Sequence, residues 1–427
     1  MPLGYPEKRF AQWKHVYGEL IFLRTFNTPM LVVNSAKAAR DLLEKRSAKC
    51  SDTIGWDGNM ALMPNGQQFR KQRRWIQAPF SDKVFLAQFV PVQTREIRTL
   101  LSELLHHPGN FPKHFHRVVS ADDEYLQLVD KAATGIMAAS APSTAVVDFI
   151  PFLQYIPAWL PGAGWKRLAL EAGAALKEAY VRTYALADTD GKSSVIRTLI
   201  KEYSDKGELA TQAYEIMTKT VLQSFVLAMV LHPEVCTKAQ YEMDRVVGRE
   251  RLPTFDDRDS LPYLECVLKG LLAQLGLSRQ ASSHASSEDD EYRGYYIPKG
   301  TVVIPNLWLV LRDSEDYPEP DLFLPERFCE LSIEESERTD PRNIVFGYGR
   351  RLCLRICPGR RFADTSVWLA MANLVATMNI DKARDDMGNE ITPPAAFESG
   401  FTSPPSRFQC SIKLQSPQAV ELISSVM

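Results

Sequence analysis

Phe346-Gly347-Tyr348-Gly349-Arg350-Arg351-Leu352-Cys353-Leu354-Arg355-Ile356-Cys357-Pro358-Gly359-Arg360-Arg361-Phe362-Ala363 is the most informative stretch of this 427-residue chain. Glycines and arginines lead to two cysteines, and Cys357 runs through Pro358-Gly359 into a helical pattern over 360–380 carrying Trp368, Leu369, Ala372, Leu374 and Val375. A cysteine that opens a helix beside guanidinium groups is held toward the thiolate, because the helix N-terminus and the arginines both stabilise negative charge. Such a thiolate serves as a nucleophile, a redox centre or a metal ligand. The glycines let a large flat cofactor approach the backbone closely.

Upstream of the loop, residues 305–345 are rich in proline and charge and read as a long irregular connection. Tyr295-Tyr296-Ile297 and Thr301-Val302-Val303-Ile304 flank Pro298-Lys299-Gly300, which predicts a β-hairpin. Segments 84–107, 164–186 and 211–231 are helical by periodicity. In the last of them VLQSFVLAMVL is apolar all round, the mark of a buried helix. At the N-terminus 6–16 predicts a short helix and 19–33 a hairpin turning at Pro29. Ser35 offers an N-cap to AKAARDLLEKR, with Ala38, Leu42 and Leu43 on one face. The polar run 278–290 reads as a solvated loop. No repeat and no clear linker occurs, so the expectation is one large domain over 1–427, mainly α with small β-sheets.

Lys+Arg number 50 and Asp+Glu 52, a net charge of −2, which excludes binding to nucleic acid through bulk positive charge. Hydrophobic residues at 45% and charged residues at 24% exclude wholesale disorder. The seven cysteines (50, 236, 266, 329, 353, 357 and 410) are odd in number and scattered, unlike a secreted disulfide framework. There is no apolar run of about 18 residues and no apolar N-terminal signal core, so the expectation is a soluble chain of a reducing compartment. His114-x-His116 and Cys353-x3-Cys357 lack the second pair of a zinc site, and Gly347-x-Gly349 meets Leu352 where a dinucleotide fingerprint needs glycine.

The loop resembles that of the cytochrome P-450 family, haem-thiolate monooxygenases, and especially its fungal microsomal members. The family's loop reads Phe-x-x-Gly-x-Arg-x-Cys-x-Gly, and its cysteine ligates haem iron. Further matches are Phe323-Leu324-Pro325-Glu326-Arg327-Phe328, Tyr295 to Thr301, Asn306-x-Trp308, Leu231-His232-Pro233-Glu234 and Leu261-Pro262-Tyr263-Leu264. The resemblance covers about residues 5–415. It implies the family's fold, here incomplete, with the N-terminal membrane anchor missing.

The chain departs from the family pattern at three places. The loop is four residues too long, the repeat Arg-Leu-Cys, Arg-Ile-Cys suggesting an insertion. Counted back from Cys357, Arg355 and Gly359 fit; counted forward from Phe346, Gly349, Arg351 and Cys353 fit. Cys357 is the preferred iron ligand because it joins directly to the following helix, Cys353 is the runner-up, and ligation by neither is the minority alternative. Next, the family's Glu-x-x-Arg pair, which meets the arginine of Pro-Glu-Arg-Phe, is replaced by Gly270 and Ala273. A buried Arg327 left unpaired would cost about 3–5 kcal/mol. Third, the family's Ala-Gly-x-Asp/Glu-Thr is absent from the central helix. Thr220 is the nearest counterpart of its threonine and Glu215 of its acid, while for Thr218 and Glu215 a helical-surface reading is at least as good. Glu242-x-x-Arg245 lies on an earlier helix and reads as a solvated i,i+3 pair.

Phe69-Arg70-Lys71-Gln72-Arg73-Arg74 resembles the family's propionate-holding helix, in which Arg73 can form a charge-assisted fork and Phe69 lacks the family tryptophan's donor. Arg351 or Arg355 would give a second propionate contact, and Phe346 and Gly359 belong to the same cofactor loop. The resemblance implies insertion of one oxygen atom from O2 into a small apolar organic substrate, with electrons from an NADPH-dependent reductase. An intact member works at the cytoplasmic face of the endoplasmic reticulum membrane, in secondary or xenobiotic metabolism. The rival expectation is a non-catalytic, degenerate or mis-spliced member that binds haem poorly or not at all.

Overall fold

The structure, a computed structural model, describes residues 5–25, 28–46, 49, 66–67, 69–71, 73–74, 86–117, 128, 153, 155–189, 209–275, 284–347, 359–398 and 403–424. Helix α1 (Pro6–Tyr17) precedes strands β1 (Leu20–Thr25) and β2 (Thr28–Val33), which pair antiparallel. The chain reverses between Thr25 and Thr28, not at Pro29, which sits inside β2 opposite Arg24. Proline is tolerated there because the other neighbour of β2 begins its pairing only at Met30. Ser35 caps α2 (Ala36–Arg40) by accepting from the Ala38 amide, and the helix continues to Lys45 as wider turns.

The helical body follows: α3 (Val90–His106), α4 (Phe111–Arg117), α5 (Gly164–Thr189), α6 (Leu209–Leu231), α7 (Pro233–Val246) and α8 (Pro262–Leu275). The apolar half of α6 is enclosed, with Leu222, Phe225, Val226 and Met229 buried. Pro233 ends that run, and α7 leaves at 106° to α6. Glu242, on α7, is no solvated partner of Arg245: it is buried, and its carboxylate accepts the Tyr263 and Leu264 amides at 2.8 and 3.0 Å. It thereby caps α8 where the helix N-terminus favours negative charge.

The predicted hairpin of 295–304 is not formed. β5 (Tyr295–Ile297) turns back on β4 (Asp290–Tyr292) through Arg293 and Gly294, whose φ of 51° and 79° suit a tight hairpin. β6 (Val302–Pro305), apolar on both faces, instead enters the larger sheet, ordered β1-β2-β6-β3 and parallel to β2. The last strand of that sheet, β3 (His284–Ala285), lies in the run expected to be a solvated loop, yet His284 and Ser286 are buried. Asn306 clasps the junction, donating to Asn34 Oδ1 at 2.9 Å and to the Glu7 carbonyl at 3.0 Å.

The connection over 305–345 is less irregular than expected. It holds α9 (Leu307–Val310), a 3-10 turn at Pro325–Phe328, α10 (Ile333–Thr339) and α11 (Arg342–Val345). Helix α12 (Arg360–Thr377) packs against α6, its buried face including Trp368, Met371 and Leu374. β7 (Met378–Arg384) then pairs with β8 (Glu390–Ile391) and β9 (Cys410–Leu414), and α13 (Pro417–Ser424) closes the described chain.

Candidate haem-thiolate site

Cys353, Cys357, Arg351 and Arg355 lie outside the described residues, but both ends of their loop are on view. Phe346 follows α11 and is buried, and Gly347 takes φ +96° as the loop departs. At the far end Gly359 precedes α12. The Arg360 guanidinium stands 5.6 Å over the Phe346 ring and donates to Asn343 Oδ1 at 3.3 Å, so one side chain staples entry to exit.

Behind the staple is an ion cluster that the sequence reading missed. Arg342, on α11, reaches Glu265 on α8 at 2.6 Å, Asp340 at 2.6 Å and Asp364 in the first turns of α12 at 3.4 Å. Arg258 bridges the same two carboxylates, Glu265 at 2.8 Å and Asp364 at 2.7 Å, and lies 5.5 Å over the Trp368 ring. Burial works against charge at Asp340, but the Arg342 fork outweighs it and holds the carboxyl below its usual range. At Arg342 burial is likewise outweighed, by Asp340, Asp364 and Glu265, and the guanidinium stays firmly charged. Lys269, one turn beyond Glu265, adds a smaller share of the positive charge that holds Asp340 ionised. Apart from Asp340-x-Arg342 the cluster's members are scattered between positions 258 and 364, which is why no motif announced them. On the opposite flank Gln93 donates to the Phe362 carbonyl at 3.4 Å and to Ser366, and Phe89 meets Phe362 edge-on.

Phe69 and Arg73 are buried on one helical face, while Arg70, Lys71 and Arg74 point to water. A guanidinium on the inner side of an otherwise solvated basic helix presents the fork of N–H donors that binds a carboxylate in two places. Thr220 is buried near the middle of α6. Thr218 is buried too, contrary to its surface reading, and its hydroxyl and that of Ser224 have no hydrogen-bond partner among the described residues. The side chain of Glu215 is outside the described set. Buried Arg73 has the charge and the fork of donors that an anionic cofactor needs.

Where the family's Glu-x-x-Arg would clamp the 323–328 segment, the structure substitutes apolar packing. A Cβ on Gly270 would stand 3.2 Å from Phe323 Cε2, so that ring fills the place of the glutamate. Arg327 is half-buried, and it donates to the carbonyls of Glu319 at 2.8 Å and Leu322 at 3.3 Å. The expected cost of a fully buried, unpaired arginine therefore does not arise.

Comparison with known proteins agrees with this frame. The cytochrome P450 family model matches residues 111–412. Cytochrome P450 monooxygenase 176 of Postia placenta is 38% identical over 99% of this chain and 89% of its own length. Tryptamine 4-monooxygenase of Psilocybe cyanescens is 32% identical over 100% and 91%. A zebra fish cytochrome P450 solved with abiraterone superposes with a TM-score of 0.74 at 20% identity, covering 96% of this chain and 100% of that one, which supports the fold. The Postia alignment runs over 465 positions against 427 residues here, so at least 38 of them face gaps in this chain. That agrees with motif losses inside the chain, while the relatives' shared activity favours the enzyme over a non-catalytic product. The chain belongs to the cytochrome P450 family and is a haem-dependent monooxygenase of the fungal type, using O2, an organic substrate and a redox partner.

Proposed function

We propose that this chain hydroxylates a small apolar molecule of fungal secondary or xenobiotic metabolism, with Cys357 as the thiolate ligand of its haem. The observation that carries the ligand assignment is the junction with α12. Cys357 stands three positions before Arg360, the first residue of that helix, whereas Cys353 stands seven before it. A helix N-terminus stabilises an anion only within about its first turn, so its field reaches Cys357 far better. The bound haem supplies oxygen activation, and overall one substrate C–H, O2, two electrons and two protons become C–OH and water. Arg73 would hold one propionate, and Arg351 or Arg355 the other. Phe346 and Gly359 would lie beside the cofactor, and the buried Thr220 hydroxyl would be the group that holds a proton toward it. An NADPH-dependent reductase supplies the electrons at the cytoplasmic face of the endoplasmic reticulum membrane. Among the described residues no single helix is long and apolar enough to cross a membrane.

Carbon monoxide added to the reduced protein tests the reading. The wild type gives the Soret band of a thiolate-bound haem, Cys353→Ala keeps it, and Cys357→Ala abolishes it. The reverse pattern moves the ligand to Cys353, and a folded protein with no haem absorbance overturns the proposal.

A further inference from the structure

Strand β1 stands at the end of the β1-β2-β6-β3 sheet, and its six residues pair with β2 on one side only. The register says which backbone groups that leaves. The Asn34 amide donates to the Glu19 carbonyl at 2.8 Å, so Glu19 points its groups at β2. Antiparallel pairing alternates, so Ile21, Leu23 and Thr25 do the same, while Leu20, Phe22 and Arg24 turn N–H and C=O outward. Those outward groups have no partner among the described residues. The devices that usually blunt such an edge are missing from β1. Its pairing runs unbroken with no bulge, and the strand holds no proline and one charge, Arg24. At its centre Phe22 is 51% exposed, although Leu31, opposite it on β2, is buried.

We propose that this edge is a dimer interface, filled by β1 of a second copy of the chain running antiparallel about a two-fold axis at Phe22. The strand is complementary to itself in that register. Leu20 falls opposite the second copy's Arg24, Phe22 opposite Phe22 and Arg24 opposite Leu20, so outward groups meet outward groups and each pair exchanges two hydrogen bonds. Ile21 meets Leu23 on the side that packs against Phe10 of α1, and the two Phe22 rings form an aromatic cross-strand pair on the other. Charge chooses the direction. Glu19, which also holds Arg293 at 2.9 Å, precedes the strand and Arg24 lies near its end. An antiparallel copy sets that acidic start beside the basic end, whereas a parallel copy in register would set Arg24 beside Arg24. In the antiparallel pair the two Arg24 positions are four residues apart along the strands, about 13 Å, beyond the physiological Debye length of about 8 Å. A two-fold contact is closed: it consumes the edge of both copies and stops at a dimer instead of growing into a fibre. The contact joins two four-stranded sheets into one, and the inference does not depend on haem binding.

Sedimentation velocity of the purified full-length chain over a range of concentrations at physiological salt tests it. One strand pair is a small interface, so the expected result is a monomer–dimer equilibrium, not a permanent dimer. Phe22→Lys puts two ammonium groups face to face at the axis and should leave only monomer, with the urea midpoint unchanged because position 22 is exposed. Phe22→Cys should gain a link instead. Paired Cα atoms at the axis stand about 5.5 Å apart, within the span of a disulfide. Mild oxidation of that variant should give a covalent dimer joined at position 22 and released by dithiothreitol. The wild type should give none, and neither should Arg24→Cys, whose two copies stand about 13 Å apart. A chain monomeric at every concentration, a dimer that survives Phe22→Lys, or linking of Arg24→Cys as readily as Phe22→Cys would overturn the proposal.

Discussion

Helix α8 is gripped on two sides by different chemistry. Through Glu265 it joins the ion cluster with Arg258 and Arg342, which reaches α11 and α12, the helices entering and leaving the cysteine loop. Through Tyr263 and Gly270 it faces the 323–329 segment, where aromatic packing and the Tyr263–Glu326 hydrogen bond stand in for a charged clamp. Loss of a polar pair on one side of a helix leaves the other side's grip intact, because the two sides share a backbone but no side chains. The frame of the loop therefore survives a lesion that sequence comparison would count as fatal.

The largest effect is expected from Arg342→Leu. Three half-buried carboxylates would lose their shared partner and only Glu265 and Asp364 would keep Arg258. Breaking a fully buried pair costs about 3–5 kcal/mol, and the cost here should approach the lower end of that range. Urea denaturation measures it, and a cost under about 1 kcal/mol would show that the charged side is not the principal grip.

The pH response separates the two sides. Asp340 has its pKa depressed on folding, so its contribution is complete above the ordinary carboxylate value and lost as pH falls through the lower folded one. The stability gap between wild type and Asp340→Asn should accordingly shrink below about pH 4. The gap for Phe323→Leu, about 1 kcal/mol for a modest apolar truncation, should stay constant over the same range. Parallel pH curves for both variants would erase the distinction.

The smallest effect is expected from Gly270→Ala. Helix propensity favours alanine by about 1 kcal/mol, but the new Cβ would press on Phe323 at 3.2 Å. The net change should lie within about 0.5 kcal/mol and become clearly stabilising in the Phe323→Leu background, where the ring is gone. Thermal unfolding of the double-mutant cycle reads it.

What the sequence made legible was local. The apolar run of α6, the Ser35 cap and the helix after Cys357 each depend on neighbours within a few turns, and each stands where expected. The ion cluster was not legible because, Asp340-x-Arg342 apart, its members come from separate elements far apart in the chain. Glu242 misled because its partners are backbone amides, which leave no residue signature. The misplaced hairpin has a similar cause: Arg293-Gly294 is a less conspicuous turn than Pro298-Lys299-Gly300, yet positive φ at both residues lets it reverse the chain. At the site itself, Arg73 and Thr220 were reached through family resemblance, while the inward turn of Arg73 away from Arg70 and Arg74 needed the fold.

The Asn34–Asn306 clasp joins residues 272 positions apart, and β2 finds its second neighbour only when β6 arrives. At roughly 5–20 residues per second, a ribosome needs on the order of tens of seconds to make that stretch. Throughout that interval the edge of β2 over Met30–Val33, apolar and later buried, has no strand to pair with. An unpaired apolar edge is a template for pairing with other chains. Newly made protein should therefore be most prone to aggregation before residue 302 emerges, and a chaperone that covers strand edges would be needed early in its synthesis.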